Sequence, residues 1–183
     1  METLGDVRIS GIPRVTDMAF SPTGLTAVVS GLGECKLVDM ETWKVLRSFK
    51  EPWIDRNRHG LGSPRFTPDG KYLVQQCSEP SLRIFDTASW ERVDRLPGLP
   101  DDIVQYRPAS QLPLAVIRTR DKAVLLWNVE QQAPVAKLDQ DRGLSEAVFS
   151  PDESLLAVSI TGDRNRWRLR VWNTKSVEFV HEL

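Results

Sequence analysis

The stretch AFSPTG, Ala19 to Gly24, is spelled again as RFTPDG at Arg65 to Gly70, as QYRPAS at Gln105 to Ser110 and as VFSPDE at Val148 to Glu153. Each copy carries an aromatic residue followed two places later by proline, and the aromatic anchors Phe20, Phe66, Tyr106 and Phe149 are spaced by 46, 40 and 43 residues. A period in that range marks a repeat architecture, in which each unit is one supersecondary element that cannot bury its apolar face alone.

The order of events inside each unit is constant. A short alternating run ends in the aromatic residue (VTDMAF, SPRF, DIVQY, SEAVF), and the proline turn follows. A more continuous apolar run comes next (LTAVVS, KYLVQQC, PLAVIRT, LLAVSI), with the length and β-branched content of a buried strand. A third run ends in Asp or Asn: CKLVD at Cys35 to Asp39, LRIFD at Leu82 to Asp86, VLLWN at Val124 to Asn128 and RLRVWN at Arg168 to Asn173. Four residues beyond that Asp or Asn a fourth run begins, as in WKVLRSF, WERVDRL and VEFVHEL.

The punctuation has physical reasons. Proline cannot donate to a ladder and presets φ for a turn, and Gly24 and Gly70 supply the positive φ that closes it. Asp39, Asp86, Asn128 and Asn173 can accept bonds from backbone amides two residues on, an Asx-turn that launches the next strand. Each unit is then a meander of four antiparallel strands. One such sheet cannot cover its own two faces, and stacking the sheets around an axis does, which predicts an all-β fold, a β-propeller of four-stranded antiparallel blades.

The endings Leu126-Trp127-Asn128 and Val171-Trp172-Asn173 resemble the Trp-Asp dipeptide of the WD-repeat family, with Phe85-Asp86 and Val38-Asp39 as weaker versions. Asp121 in RDKAVLLWN resembles that family's tight-turn aspartate between second and third strands. The resemblance covers residues 15 to 183; no Gly-His dipeptide precedes a first strand, so the repeats are degenerate. It implies blade 1 over residues 15–50, blade 2 over 62–97, blade 3 over 102–139 and blade 4 over 145–183 within one propeller region, 1–183. Residues 5–14 read as a lone strand of a missing blade. Such rings have about four to eight blades. The expectation is an incomplete ring, a fragment of a longer chain or an arc completed by another copy, and the alternative is closure by four blades.

Composition narrows the function. The 24 Lys+Arg balance 25 Asp+Glu, so no global charge predicts nucleic acid or an anionic membrane as partner. The start METLGDVRISGIPR lacks the basic and apolar regions of a secretory signal, and no apolar run approaches the ~18 residues of a membrane span, which points to a cytoplasmic address. Cys35 and Cys77 form no CxxC or Cys/His cluster, and they read as reduced thiols, buried or half-buried. No nucleophile elbow or phosphate-binding glycine loop occurs; GLGE at Gly31 to Glu34 lies between strands without a following helix. No catalytic residue, cofactor or metal site is expected, and an enzyme is not.

What remains is surface. The resemblance puts the loops between second and third strands, and those between units, on one rim. Arg118, Arg120 and Lys122 would stand there in one blade, and Arg164, Arg166 and Trp167 in the next. The insertion Glu51 to Ser63 adds Trp53, Arg56, Arg58 and His59 to the same side. Basic groups beside an aromatic ring suit an acidic or phosphorylated peptide; the competing reading is a solvated rim whose field Asp101, Asp102, Asp139 and Asp141 offset. The function so implied is a non-catalytic protein–protein interaction scaffold, with self-association through open blade faces as a further expectation. The alternative is a sensory or small-ligand propeller, or a lactonase-type propeller enzyme with an axial site.

Overall fold

A computed structural model describes residues 15–31, 34–50, 63–76, 82–139, 144–161 and 167–183. These residues form sixteen strands in four sheets and no helix, each sheet a meander of four sequential antiparallel strands. Blade 1 holds β1 (Val15–Phe20), β2 (Thr26–Gly31), β3 (Glu34–Asp39) and β4 (Val45–Lys50). Blade 2 holds β5 (Pro64–Phe66), β6 (Tyr72–Gln76), β7 (Leu82–Asp86) and β8 (Arg92–Val93). Blade 3 holds β9 (Ile103–Pro108), β10 (Leu114–Thr119), β11 (Val124–Asn128) and β12 (Ala133–Asp139). Blade 4 holds β13 (Leu144–Phe149), β14 (Leu155–Thr161), β15 (Trp167–Asn173) and β16 (Phe179–Glu182). The fold is a β-propeller of four blades.

The turns are built as their residues dictate. In blades 1, 2 and 4 the hydroxyls of Ser21, Thr67 and Ser150 accept the N–H of Thr26, Tyr72 and Leu155 across the first turn. Gly24 and Gly70 take φ of +73° and +70°, and Glu153 takes the same place in blade 4 at +55°. After each third strand, Asp39, Asp86, Asn128 and Asn173 accept backbone N–H groups two or three residues on, at 2.6–3.1 Å. The fourth residue beyond is always left-handed: Trp43, Trp90, Gln132 and Val177, with φ of 54–59°.

Two sequence expectations need correction. The fourth strand of blade 2 is only Arg92–Val93, because Pro97, Gly98 and Pro100 break the ladder and the chain turns inward, burying Leu96 and Leu99 between blades 2 and 3. In blade 3 the first strand runs two residues past Tyr106, to Pro108, and Ala109 makes the turn-closing bond to Leu114 that Ser21 and Thr67 make elsewhere. QYRPAS is thus offset by two residues from the other copies. A shift of two leaves every side chain on its own face, so Tyr106 still packs toward the preceding blade.

Register assigns each row of side chains to a junction. The row Ala19, Val28, Leu37 faces blade 2, and Phe66, Leu73, Phe85 return from blade 2 to meet it. Val74 and Ile84 meet Tyr106 and Ile117 between blades 2 and 3. Val116 and Leu126 meet Leu156 and Val158 between blades 3 and 4. Cys35 lies buried in the first junction, its thiol within 2.8 Å of the Gln75 amide and 3.1 Å of the Ser30 hydroxyl. Cys77 lies outside the described residues.

These three junctions hold the core clusters. Phe66 is 8% exposed, whereas Phe20, its counterpart in blade 1, is 56% exposed on the face away from blade 2. Val148, on the face of blade 4 away from blade 3, is 58% exposed. Among the described residues no core cluster joins blade 4 to blade 1. Among the described residues no helix is long and apolar enough to cross a membrane.

Candidate functional site

The four first strands converge, and their ends and turns enclose a groove of about 640 Å³. Each blade contributes one stretch: Ala19–Pro22, Arg65–Pro68, Arg107–Ser110 and Glu146–Pro151, with Glu153 beside the last. A Cβ placed on Gly70 would lie 3.4 Å from the Pro22 ring, so the turns of blades 1 and 2 are in contact. Proline, hydroxyl and small side chains line most of the recess.

Its charges are arranged between blades. Arg107 donates from Nε to Glu146 of blade 4 at 2.8 Å and from Nη1 to Gln76 of blade 2 at 2.9 Å, so one guanidinium ties three blades. Arg65 of blade 2 reaches Asp17 of blade 1 at 3.5 Å. Burial opposes the Asp17 charge, but hydrogen bonds from Ser63, the Met18 N–H and Arg65 outweigh it and hold its carboxyl below the ordinary range. Glu153, buried at 4% exposure, accepts the N–H groups of Ser110, Gln111 and Leu112 of blade 3.

That clamp answers a local deficiency. The blade 3 turn has Ala109 where its neighbours have a hydroxyl, and no Asp to receive its amides. Glu153 supplies the missing acceptor from the next blade, standing where Gly24 and Gly70 stand in theirs. The sequence reading missed Arg107, Glu146 and Glu153. The signal was present: Arg107 and Glu153 are the two charges inside the repeated turn motif at positions that other copies fill with hydroxyl or glycine.

The rim residues separate into two groups. Trp53, Arg56, Arg58, His59, Arg164 and Arg166 lie outside the described residues. Arg118, Arg120 and Lys122 come together at the β10–β11 connection, Arg118 half-buried near the end of its strand and the other two exposed. Asp121 makes the tight turn there, accepting from the Thr119 hydroxyl and the Ala123 N–H; the hydroxyl bond first, then the amide, holds its carboxyl below the ordinary range. Trp167 opens β15 and is 60% exposed. Arg120 borders a cleft of about 150 Å³ with Asp94, Arg95 and Asp101, so acids and bases alternate around it. Asp139 is engaged by Arg170 of blade 4 at 3.4 Å. Among the described residues no three His, Cys, Asp or Glu side chains gather as metal ligands would.

No family model matches the chain. It is similar to Protein tipD of Dictyostelium discoideum, 26% identical over 121 residues, which are 62% of this chain and 19% of that protein. The chain therefore spans about a fifth of the length of the curated relative it matches.

Proposed function

We propose that this chain is a non-catalytic protein-interaction module built of WD-repeat-like blades, holding a peptide segment of another protein in the axial groove. The observation that carries the reading is the engagement of the groove's charges: Arg107 is committed to Glu146 and Gln76, and Glu153 to three backbone amides. Groups so fixed shape a recess and are not available as acid, base or nucleophile. Prolines, hydroxyls and backbone around them offer the mixed apolar and hydrogen-bonding wall that an extended peptide needs.

The test is binding of an immobilised peptide library to the purified chain. Ser110 is exposed and lines the groove, and its part in the clamp is its backbone N–H, so Ser110→Trp fills the recess and leaves the clamp. We expect at least a tenfold loss of peptide binding from Ser110→Trp. Binding indifferent to Ser110→Trp, or turnover of lactone or ester substrates by the chain, would overturn the reading.

A further inference from the structure

Two large apolar side chains lie bare on the wall of the groove: Phe20, 56% exposed, and Val148, 58% exposed. Phe66 and Phe149 also line it, but each is packed into a blade junction. Glu146 stands beside Val148. The two alternate with buried Ala147 along β13, so they project from one face of the strand, about 7 Å apart.

The four charged side chains that border the groove are unequally engaged. Glu153 is closed off by its three backbone donors. Arg107 is largely buried and holds Glu146, Gln76 and the Tyr106 carbonyl. Arg65 donates to the Pro64 carbonyl and pairs with Asp17. Glu146 differs. Its side chain is half exposed, and the donors that reach it, Arg107 Nε and the Ala147 N–H, both bond Oε1, so Oε2 has no partner among the described residues.

We infer, taking the groove to hold a peptide as proposed, that it selects segments carrying a lysine or arginine two residues from a large apolar side chain. Charge complementarity decides the sign. An incoming anion would have to draw Arg107 or Arg65 away from acceptors they already hold, whereas an incoming cation needs only the open oxygen of Glu146. The spacing follows from β13 itself. An extended segment repeats its side-chain direction every second residue, so a cation laid on Glu146 brings the side chain two positions away over Val148, with the Phe20 ring in the same recess. Burying that anchor against Phe20 and Val148 supplies the affinity, and the cation supplies the selection. Pro22, Pro68, Pro108 and Pro151 fix φ in the four stretches that form the wall, so the recess is shaped before anything binds.

An immobilised library of extended peptides with randomised positions provides the test. The peptides retained should be enriched in Lys or Arg two places from Leu, Met, Phe or Trp. Glu146→Gln removes the charge and keeps an acceptor for Arg107; it should weaken a retained lysine peptide about two- to fivefold, and less at high salt. Replacing that lysine by norleucine in the peptide reads the same contact from the other side and should make the peptide indifferent to Glu146→Gln. Phe20→Ser and Val148→Ser, at positions already exposed, should each weaken binding about tenfold, with circular dichroism showing the variants folded. Retained peptides without an excess of cations, a norleucine peptide that binds as well as its lysine parent, or binding untouched by both serine variants would overturn the inference. If Ser110→Trp still abolished that binding, the peptide-holding role would stand without it. A library from which nothing is retained would overturn both.

Discussion

A buried carboxylate is tolerated only when its oxygens are met by donors, and Glu153 meets three. The residue also sits at φ +55°, a conformation that costs a side chain about 1 kcal/mol relative to glycine. Glu153→Ala removes the acceptor and keeps the strain, and its expected cost is about 3 kcal/mol. Glu153→Gly removes both, so it should be less damaging than Ala by about 1 kcal/mol. Urea unfolding of the two variants decides: equal midpoints would exclude the backbone contribution, and wild-type midpoints would exclude the clamp. At this scale the sequence was half legible. Gly24 and Gly70 announced their turn because only positive φ explains glycine there, whereas Glu153 concealed the same backbone behind a side chain that acts on the next blade. Arg107 was similarly hidden, since the partners that give it meaning, Gln76 and Glu146, are brought to it only by the ring.

Elements were more legible, because a strand's period and its turn chemistry are local. The Asp or Asn that closes each third strand makes the expected bonds, and the fourth residue after it is left-handed in every blade. Three of those four residues tolerate that conformation better than the last, Val177, whose branched Cβ crowds the backbone. Val177→Asn should therefore raise stability by about 0.5–1 kcal/mol, seen as a higher thermal midpoint; a lower one would contradict the assignment. Trp90, at the same place in blade 2, packs in a tilted arrangement against Phe49 of blade 1 with ring centroids 5.6 Å apart, while Trp43 in blade 1 is exposed. The turn carboxylates also set an acid limit. Hydroxyl bonds from Ser150 and Ser154, and then the Ser154 N–H, bring Asp152 down to about 2; the Thr42 amide and hydroxyl lower Asp39, and the Ser89 amide lowers Asp86 despite some desolvation. Their folded values lie below the ordinary 3.8, so their stabilisation is present above about pH 4 and is lost as pH falls toward 2. Thermal midpoints should decline across that window, and less steeply in Asp152→Asn; a midpoint flat from pH 5 to pH 2 would refute it. What the elements hid was β8, cut short by a proline and glycine cluster that the fourth-strand pattern ran through.

For the whole molecule, the core clusters of the described residues lie at three junctions in series, between blades 1 and 2, 2 and 3, and 3 and 4. The four blades were legible as a count of repeats. The axial groove was not, because it is a property of four turns separated by some forty residues each and brought together only by the packing of the blades. In a serial structure the middle junction matters most, since losing it leaves two pairs of blades instead of one body. Ile117 lies fully buried at that junction, packed with Tyr106, Val74 and Ile84. Ile117→Ala should cost about 2–5 kcal/mol by the cavity it leaves, against less than about 0.5 kcal/mol for Val45→Ala at an exposed site. The same cavity should also divide unfolding into two steps. Hydrogen exchange in the variant should show blades 1 and 2 opening apart from blades 3 and 4, where the wild type opens as a unit. Coincident exchange of all four blades in Ile117→Ala would mean that cohesion does not pass through this junction, and the blades would have to be held by the axial Arg107 bridge instead.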